Sequence, residues 1–404
     1  MITYNFIDAF AGCGGLSEGF KATHKYKTLA AIEWEKPQVD NLINRLQTKW
    51  NYENAHEIVL RFDMQRTQEL FNGWSNDEEY GTHKGLNDII GKNTVDIIIG
   101  GPPCQAYSIA GRIRDENGMR DDYRNYLFES YLEMVRYYQP KLFVFENVPG
   151  MLSSKPGGIP VTKLIREGII KSGYTIIDDL REFAQIDLSE YGVPQNRKRV
   201  IIVGLRNDLY RNPQQILQDF YLNILPNYKE PVQTVYDAIS DLPKLYPLES
   251  VEIINGKKYS HSLPDGGSIK NHLPRFHNKR DIEIFKLLTK DIETGVNKYQ
   301  SSEALKKLYT EMTGKKSNVH KYHVLRWNKP SNTIPAHLYK DGLRHIHPDS
   351  RQARTITVRE AARLQSFPDD YEFISSNGAN YKMIGNAVPP KFAEKLALSL
   401  LHLL

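Results

Sequence analysis

Over its first half the chain alternates short apolar runs with amphipathic stretches. YNFIDAF predicts a strand, and LSEGFKAT after it opens a helix. KTLAAIEW predicts a second strand, with PQVDNLINRLQTKW as its following helix. VDIIIG, KLFVFEN, YTIIDDL and RVIIVGL read as further strands, and YLFESYLEMVRYY and VTKLIREGIIKSG as helices among them. Strands apolar on both faces, alternating with helices, predict an α/β fold: a parallel sheet covered by helices and wound with right-handed connections.

From residue 206 the alternation dissolves into a mixture of Pro, Gly, Asn, Lys and Tyr with few long periodic segments. A second, irregular domain is therefore expected over 206–350. Order returns in TVREAARLQSF, a helix capped by Thr357. It returns again in PPKFAEKLALSLLHLL, where Phe392, Leu396 and Leu400 recur every four residues and Pro389 and Pro390 suit a first turn. The last helix is expected to fold back on the first domain, which then comprises 1–205 and 351–404.

Composition narrows the class. Two cysteines, Cys13 and Cys104, in 404 residues build no disulfide framework and suit a reducing compartment. No basic leader precedes a long apolar core, and LALSLLHLL falls short of the ~18–20 residues of a membrane span. A cytoplasmic protein with no membrane partner is expected. The net charge of +5 is concentrated in 251–350, where 18 Lys and Arg face 10 Asp and Glu. A basic segment on a near-neutral body suits a polyanion, nucleic acid first. Eight of the twelve histidines share that window, but without cysteines or a carboxylate pattern beside them no metal site is expected.

The segment FAGCGGLSEGF lies between the first strand and its helix, where an open α/β sheet takes a nucleotide. Its spacing departs from the dinucleotide fingerprint, because Ser17 stands at the third glycine position, and no GK[ST] follows. Glu33 ends the second strand, 21 residues after Gly12, where a carboxylate accepts from ribose hydroxyls, and Trp34 beside it offers a flat face for adenine. Together they point to an adenosine-containing ligand without saying which.

Cys104 follows GGPP at the end of another strand, and Glu146 ends KLFVFE. In a parallel sheet both emerge at the carboxyl edge beside the glycine loop. A thiolate is a strong nucleophile, and a carboxyl after an apolar strand suits one that keeps a proton to donate. That pair fits conjugate addition to an electron-poor ring. A buried cysteine and a turn-capping carboxylate are the structural alternative.

FAGCGGLSEGF, IEW, GGPPCQAYS, FENVPG, QNRKRV, TVREAARLQSFPDDY and MIGNAVPP, in that order, resemble the motif set of the bacterial cytosine carbon-5 DNA methyltransferases of restriction–modification systems. The resemblance covers most of 3–205 and 355–404. It implies a Rossmann-like domain for S-adenosylmethionine, with S-adenosylhomocysteine as product, and a smaller target-recognition domain in the middle. By the same likeness Phe10, Gly12, Gly14, Gly15, Glu33, Trp34, Asp63, Pro102, Asn386 and Ala387 surround the cofactor. Cys104 matches the nucleophile for carbon 6 of cytosine, Glu146 the group holding ring nitrogen 3 and the amine, and Arg197 and Arg199 the arginines at the base. Residues 105–125, with Arg112, Arg114, Arg120 and Arg124, match a loop that closes over DNA. RWNKPSNTIPAH, at 326–337, resembles framework near the end of the recognition domain. The expected partner is duplex DNA, bound by a monomer, with any cognate restriction endonuclease acting separately. A tRNA methyltransferase of the same chemistry is disfavoured, since its CFT signature and a third cysteine are absent. A non-catalytic DNA-binding scaffold would have no need of Cys104, Glu146 and Arg197.

Overall fold

Strand β1 (Tyr4–Ala9) lies near the middle of an eight-stranded sheet. The computed structural model describes residues 2–102, 127–155, 158–264, 269–340 and 342–404. On one side of β1 come β2 (Tyr26–Glu33) and β3 (Val59–Arg61); on the other come β4 (Ile97–Gly100) and β5 (Leu142–Asn147). All five are parallel. Their residues Phe6, Ile7, Ala31, Ile98, Ile99 and Val144 are fully buried, which explains the uninterrupted apolar runs.

Beyond β5 the sheet changes direction. Strand β8 (Lys198–Arg206) pairs antiparallel with β5, and β6 (Tyr174–Ile176) and β7 (Gln185–Asp187) pair antiparallel with β8. The wholly parallel sheet expected from the alternation is thus corrected to a mixed one. The link from β7 to β8, residues 188–197, is shorter than the dozen or more residues that a parallel crossover needs.

Helices α1 (Gly15–Ala22), α2 (Lys36–Thr48), α3 (Leu127–Tyr138) and α4 (Val161–Lys171) follow the early strands much as the pattern predicts. The helix Pro390–Leu400 packs on α1 with backbone nearly touching backbone. A Cβ at Gly19 would sit 2.4 Å from the Glu394 nitrogen, and one at Gly15 would sit 2.2 Å from the Val388 carbonyl oxygen. Tyr26 Oη also donates to the Ala397 carbonyl at 2.6 Å. The return of this last helix is as the sequence leads one to expect.

The chain divides into two compact units. The first is drawn from Met1–Gly192, Arg197–Pro231 and Ala387–Leu404, the second from Val193–Asn196 and Val232–Asn386. These limits differ from 205/206 and 350/351 for identifiable reasons. Residues after β8 stay with it: Tyr221 Oη donates to the Ile201 carbonyl (2.8 Å) and accepts from the Val203 nitrogen (3.0 Å). Residues 351–386 are sewn into the second unit. There Gln352 accepts from the Leu245 nitrogen, His261 meets the Gln352 carbonyl, and Arg359 donates to the Lys270 carbonyl.

The second unit holds longer regular elements than its composition suggests. α5 (Lys279–Glu293) is capped by Asn278 and α6 (Ser302–Thr313) by Ser301. Ile284, Phe285, Leu288, Leu305 and Leu308 pack with Tyr322, Val324 and Ile346 into its core. α7 (Val358–Leu364) carries a full capping box between Thr357 and Glu360, so the Thr357 cap is as predicted. Glu360 is also paired with buried Arg354 through two hydrogen bonds, at 2.6 and 2.7 Å.

Candidate active site

The carboxyl ends of β1, β2, β4 and β5 share one rim of the sheet, and the start of antiparallel β8 arrives at the same rim. After β1 the backbone turns through Phe10, Gly12 and Gly14, all at positive φ (62°, 58° and 83°). Glycine adopts that region without strain; Phe10 does so at a cost. The loop is held from three sides. Ala11 nitrogen donates to the Ile32 carbonyl (2.9 Å), Gly14 nitrogen to the Ala11 carbonyl (2.8 Å), and Gly12 nitrogen to Glu33 Oε2 (2.9 Å).

Glu33 also accepts from the Glu35 nitrogen at 2.8 Å. Desolvation pushes its carboxyl up from the ordinary value, while the amides of Glu35 and Gly12 favour the charged form. Trp34 beside it is 43% exposed, a flat face open to a ligand. The Phe62 nitrogen donates to the Glu33 carbonyl (3.2 Å), which brings Asp63 to the same end; its carboxylate accepts from the Gln65 nitrogen (2.9 Å). A bent, glycine-bearing loop, an anchored carboxylate and an exposed indole on one rim fit an adenosine ligand.

Two of the expected cofactor residues have other tasks. Gly15 is needed for the approach of Val388, and the Ala387 carbonyl accepts from Arg197 Nη2 at 3.1 Å. Asn386 closes α8 (Asn377–Asn386) in the second unit. Pro102 lies just past β4, and its carbonyl accepts weakly from buried Asn147, at 3.4 Å.

Glu146 does not stand alone at its strand end, as the apolar approach to it suggests. Arg199 Nε lies 2.8 Å from Glu146 Oε1, with both side chains only 12% exposed. Ile201 is the direct cross-strand partner of Glu146, so Arg199, two residues earlier, reaches it diagonally. Gly101 makes room for the carboxylate: a Cβ there would be 2.5 Å from Glu146 Oε2. Arg197 is buried under the same strand start. QNRKRV is split between the units, with Gln195 and Asn196 in the second and Arg197 onward in the first.

Cys104, and the loop with Arg112, Arg114, Arg120 and Arg124, lie outside the described residues. Cys13 is buried in the glycine loop, in keeping with a packing role. Sequence reasoning missed Asp8, which is wholly buried on β1 and accepts from Ser17 Oγ at 2.5 Å. Burial pushes its carboxyl up to about 7; the Ser17 hydrogen bond opposes this and the charge of Glu33 adds to it. A charged residue inside an apolar strand, FIDAF, was the available signal. Among the described residues no group of three or more His, Cys, Asp or Glu is placed to hold a metal, and no helix is long and apolar enough to cross a membrane.

The chain is similar to known methyltransferases. Similar proteins include the type II methyltransferase M.Bpa9945I of Bacillus paralicheniformis, 34% identical with 95% of each chain covered. Another is M.DdeI of Desulfomicrobium norvegicum, 32% identical over 97% of this chain and 87% of that one. Among solved structures, a candidate DNA modification methyltransferase encoded within an E. coli prophage superimposes with a TM-score of 0.59 at 25% identity, 99% of both chains covered. The S. pombe Dnmt2 methyltransferase shares the fold, with a TM-score of 0.56 at 14% identity and 99% of both chains covered. The family model for C-5 cytosine-specific DNA methylases matches residues 4–402, and the chain belongs to that family.

Proposed function

We propose that this chain is the modification methyltransferase of a restriction–modification system. It methylates carbon 5 of one cytosine in a short duplex sequence with S-adenosylmethionine as donor. The observation that carries the site assignment is the Glu146–Arg199 pair, built on the rim that also holds the Gly12–Glu33 loop. S-adenosylmethionine supplies an electrophilic methyl group when bound. Glu33 would hold the ribose hydroxyls, Trp34 the adenine face and Asp63 the adenine amine.

The target cytosine leaves the stack, since its ring atoms are shielded within the duplex. The Cys104 thiolate adds to carbon 6, and charge develops towards ring nitrogen 3, where Glu146 is oriented by Arg199. Arg197 and Arg199 stand at the base, and one of the two serves its carbonyl oxygen. Carbon 5 then takes the methyl group, loses its proton to a base, and the Cys104 sulfur leaves carbon 6 to restore the ring. The second unit, with its basic 251–350 segment, reads base edges. The chain acts as a cytoplasmic monomer, apart from any endonuclease.

The test is conversion-based sequencing of DNA from a methylation-free host that expresses the chain, beside Cys104→Ala. New 5-methylcytosine at one short motif, absent from the variant, is the expected result. A mark that persists in Cys104→Ala defeats the covalent route. An unmarked genome, with soluble protein that binds S-adenosylmethionine, shifts the substrate to RNA or the chain to a silent scaffold.

A further inference from the structure

The chain enters β8 through Val193–Asn196, four residues of the second unit, although β8 and the strands paired with it lie in the first. Gln195 is their anchor. Its side chain is fully buried, and both ends of its amide are engaged. Nε2 donates to Gln365 Oε1 (2.5 Å) and to the Leu364 carbonyl (3.2 Å) at the end of α7, and Oε1 accepts from the Ile334 nitrogen (3.0 Å). The backbone is fastened alongside. Ser331 nitrogen donates to the Pro194 carbonyl (3.0 Å), Asn196 nitrogen to the Ser331 carbonyl (2.8 Å), and Thr333 Oγ1 to the Asn196 carbonyl (2.6 Å). Displacing a buried amide from such partners leaves each of them unanswered, so the anchor is stiff.

The next residue is held by other partners. The Arg197 carbonyl accepts from the Leu188 nitrogen (2.8 Å), and Arg197 Nη2 donates to the Ala387 carbonyl (3.1 Å). Lys198 and Arg199 then pair with Asp187 and Ile186 of β7. Asn196 and Arg197 are therefore bound within different units, with no residue between them to take up slack. Consecutive Cα atoms have a fixed separation of about 3.8 Å. A shift of the Gln195 anchor along the chain is passed to Arg197 and, two residues on, to Arg199, whose Nε meets Glu146 Oε1 at 2.8 Å.

We propose that Gln195 is a positioning residue for methyl transfer: it fixes the point at which the chain enters β8, and with it the places of Arg197 and Arg199, without touching the base. The proposal rests on the methylation reading given above. It accounts for the glutamine of QNRKRV, for which the two arginines at the base give no reason. It also gives the second unit a task besides reading DNA, since the grip on the start of β8 is made of that unit's own residues.

Three variants of the full chain test it. Gln195→Leu removes the amide. Gln352→Leu is its control, the same change at another buried glutamine of the second unit, whose Oε1 accepts from the Leu245 nitrogen and from Arg354. Thr333→Val loosens Asn196 from an exposed position and keeps the buried amide, so it carries the test if Gln195→Leu does not fold. Hydrogen exchange on the free protein should be faster over 198–201 in Gln195→Leu and Thr333→Val, and unchanged there in Gln352→Leu. Single-turnover transfer to plasmid DNA from a methylation-free host, at saturating DNA and S-adenosylmethionine, should fall about 10- to 100-fold in Gln195→Leu, the scale of a small misplacement of reacting groups. It should fall about fivefold in Thr333→Val, for one hydrogen bond. The dissociation constants of both ligands should be unchanged, which a loss of folding would not allow. Equal rates in Gln195→Leu and Gln352→Leu overturn the proposal, as does a loss confined to DNA affinity or unaltered exchange over 198–201. A wild-type chain that leaves the DNA unmethylated defeats the methylation reading instead, and the exchange experiment, done without DNA or cofactor, tells the two failures apart.

Discussion

The backbone amide of Gly12 and the carboxylate of Glu33 meet at 2.9 Å, so the glycine loop after β1 and the acid that ends β2 are one assembly. Glu33→Ala removes the anchor of the loop and, on the proposed reading, the acceptor for ribose. We expect the affinity for S-adenosylmethionine to fall by about 10- to 100-fold, as for loss of charge-assisted hydrogen bonds. Glu33→Gln, which still offers an oxygen to Gly12, should lose less. Calorimetry on both variants checks this, and equal losses would assign the effect to charge and not to loop geometry.

Arg199 is expected to matter for rate more than for folding or cofactor affinity. Arg199→Met should lower single-turnover methyl transfer by about 100-fold or more, the scale of losing a preorganised charged donor. Arg199→Lys keeps charge but not the planar guanidinium, and should recover part of that loss. Rapid-quench assays at saturating DNA measure both. A wild-type rate in Arg199→Met would remove the arginine from the reaction.

Gly19 lies where α1 meets the helix Pro390–Leu400. Valine there drives its side chain against the Glu394 nitrogen and the Pro390 carbonyl, with a Cβ already within 2.5 Å of both. We expect destabilisation of about 1–3 kcal/mol or more, the range for overpacking at a rigid contact. Urea denaturation of Gly19→Val reports it as a lower midpoint at unchanged slope.

The two units should respond oppositely to acid. In the second, burial and the charge of Arg354 push His261 down to about 4 and His347 to about 3; burial and neighbouring positive charge likewise push His277 and His345 to about 3. These histidines are neutral in the fold and take protons more readily when unfolded. Stability is therefore complete above about pH 6.5 and falls below it, by at most ~1.4 kcal/mol per pH unit for each histidine. Asp8, raised to about 7, has the reverse sign: its contribution is full below the unfolded value near 3.8 and is lost as pH rises through 7. Hydrogen exchange at pH 5 and 8 should show the second unit opening first in acid. Asp8→Asn should flatten the alkaline limb of the first unit. Uniform opening at pH 5 would contradict the assignment.

Much of the first unit was legible because its signals are local. Glu33 falls at the end of a recognisable strand, and Pro389 with Pro390 announces the start of the last helix. What escaped was direction. Apolarity on both faces of RVIIVGL says that β8 is buried but not which way it runs, and its antiparallel course is what brings Arg199 to Glu146. In the second unit α5 and α6 were passed over as irregular. Their caps, Asn278 before Asp281 and Ser301 before Ala304, were present but masked by the lysines and asparagines around them. Asp8 was lost for the opposite reason: the acid inside FIDAF is plain to see, but its complete burial and raised carboxyl follow from surroundings that the sequence does not display.

The contact of the helix Pro390–Leu400 with α1 has a consequence in time. Helix α1 gains this packing partner only once residues 390–400 have been made. A growing chain that already carries Glu146 and Arg199 therefore still leaves the Gly15 and Gly19 face of α1 uncovered, and the first unit closes its packing from its two sequence-distant ends.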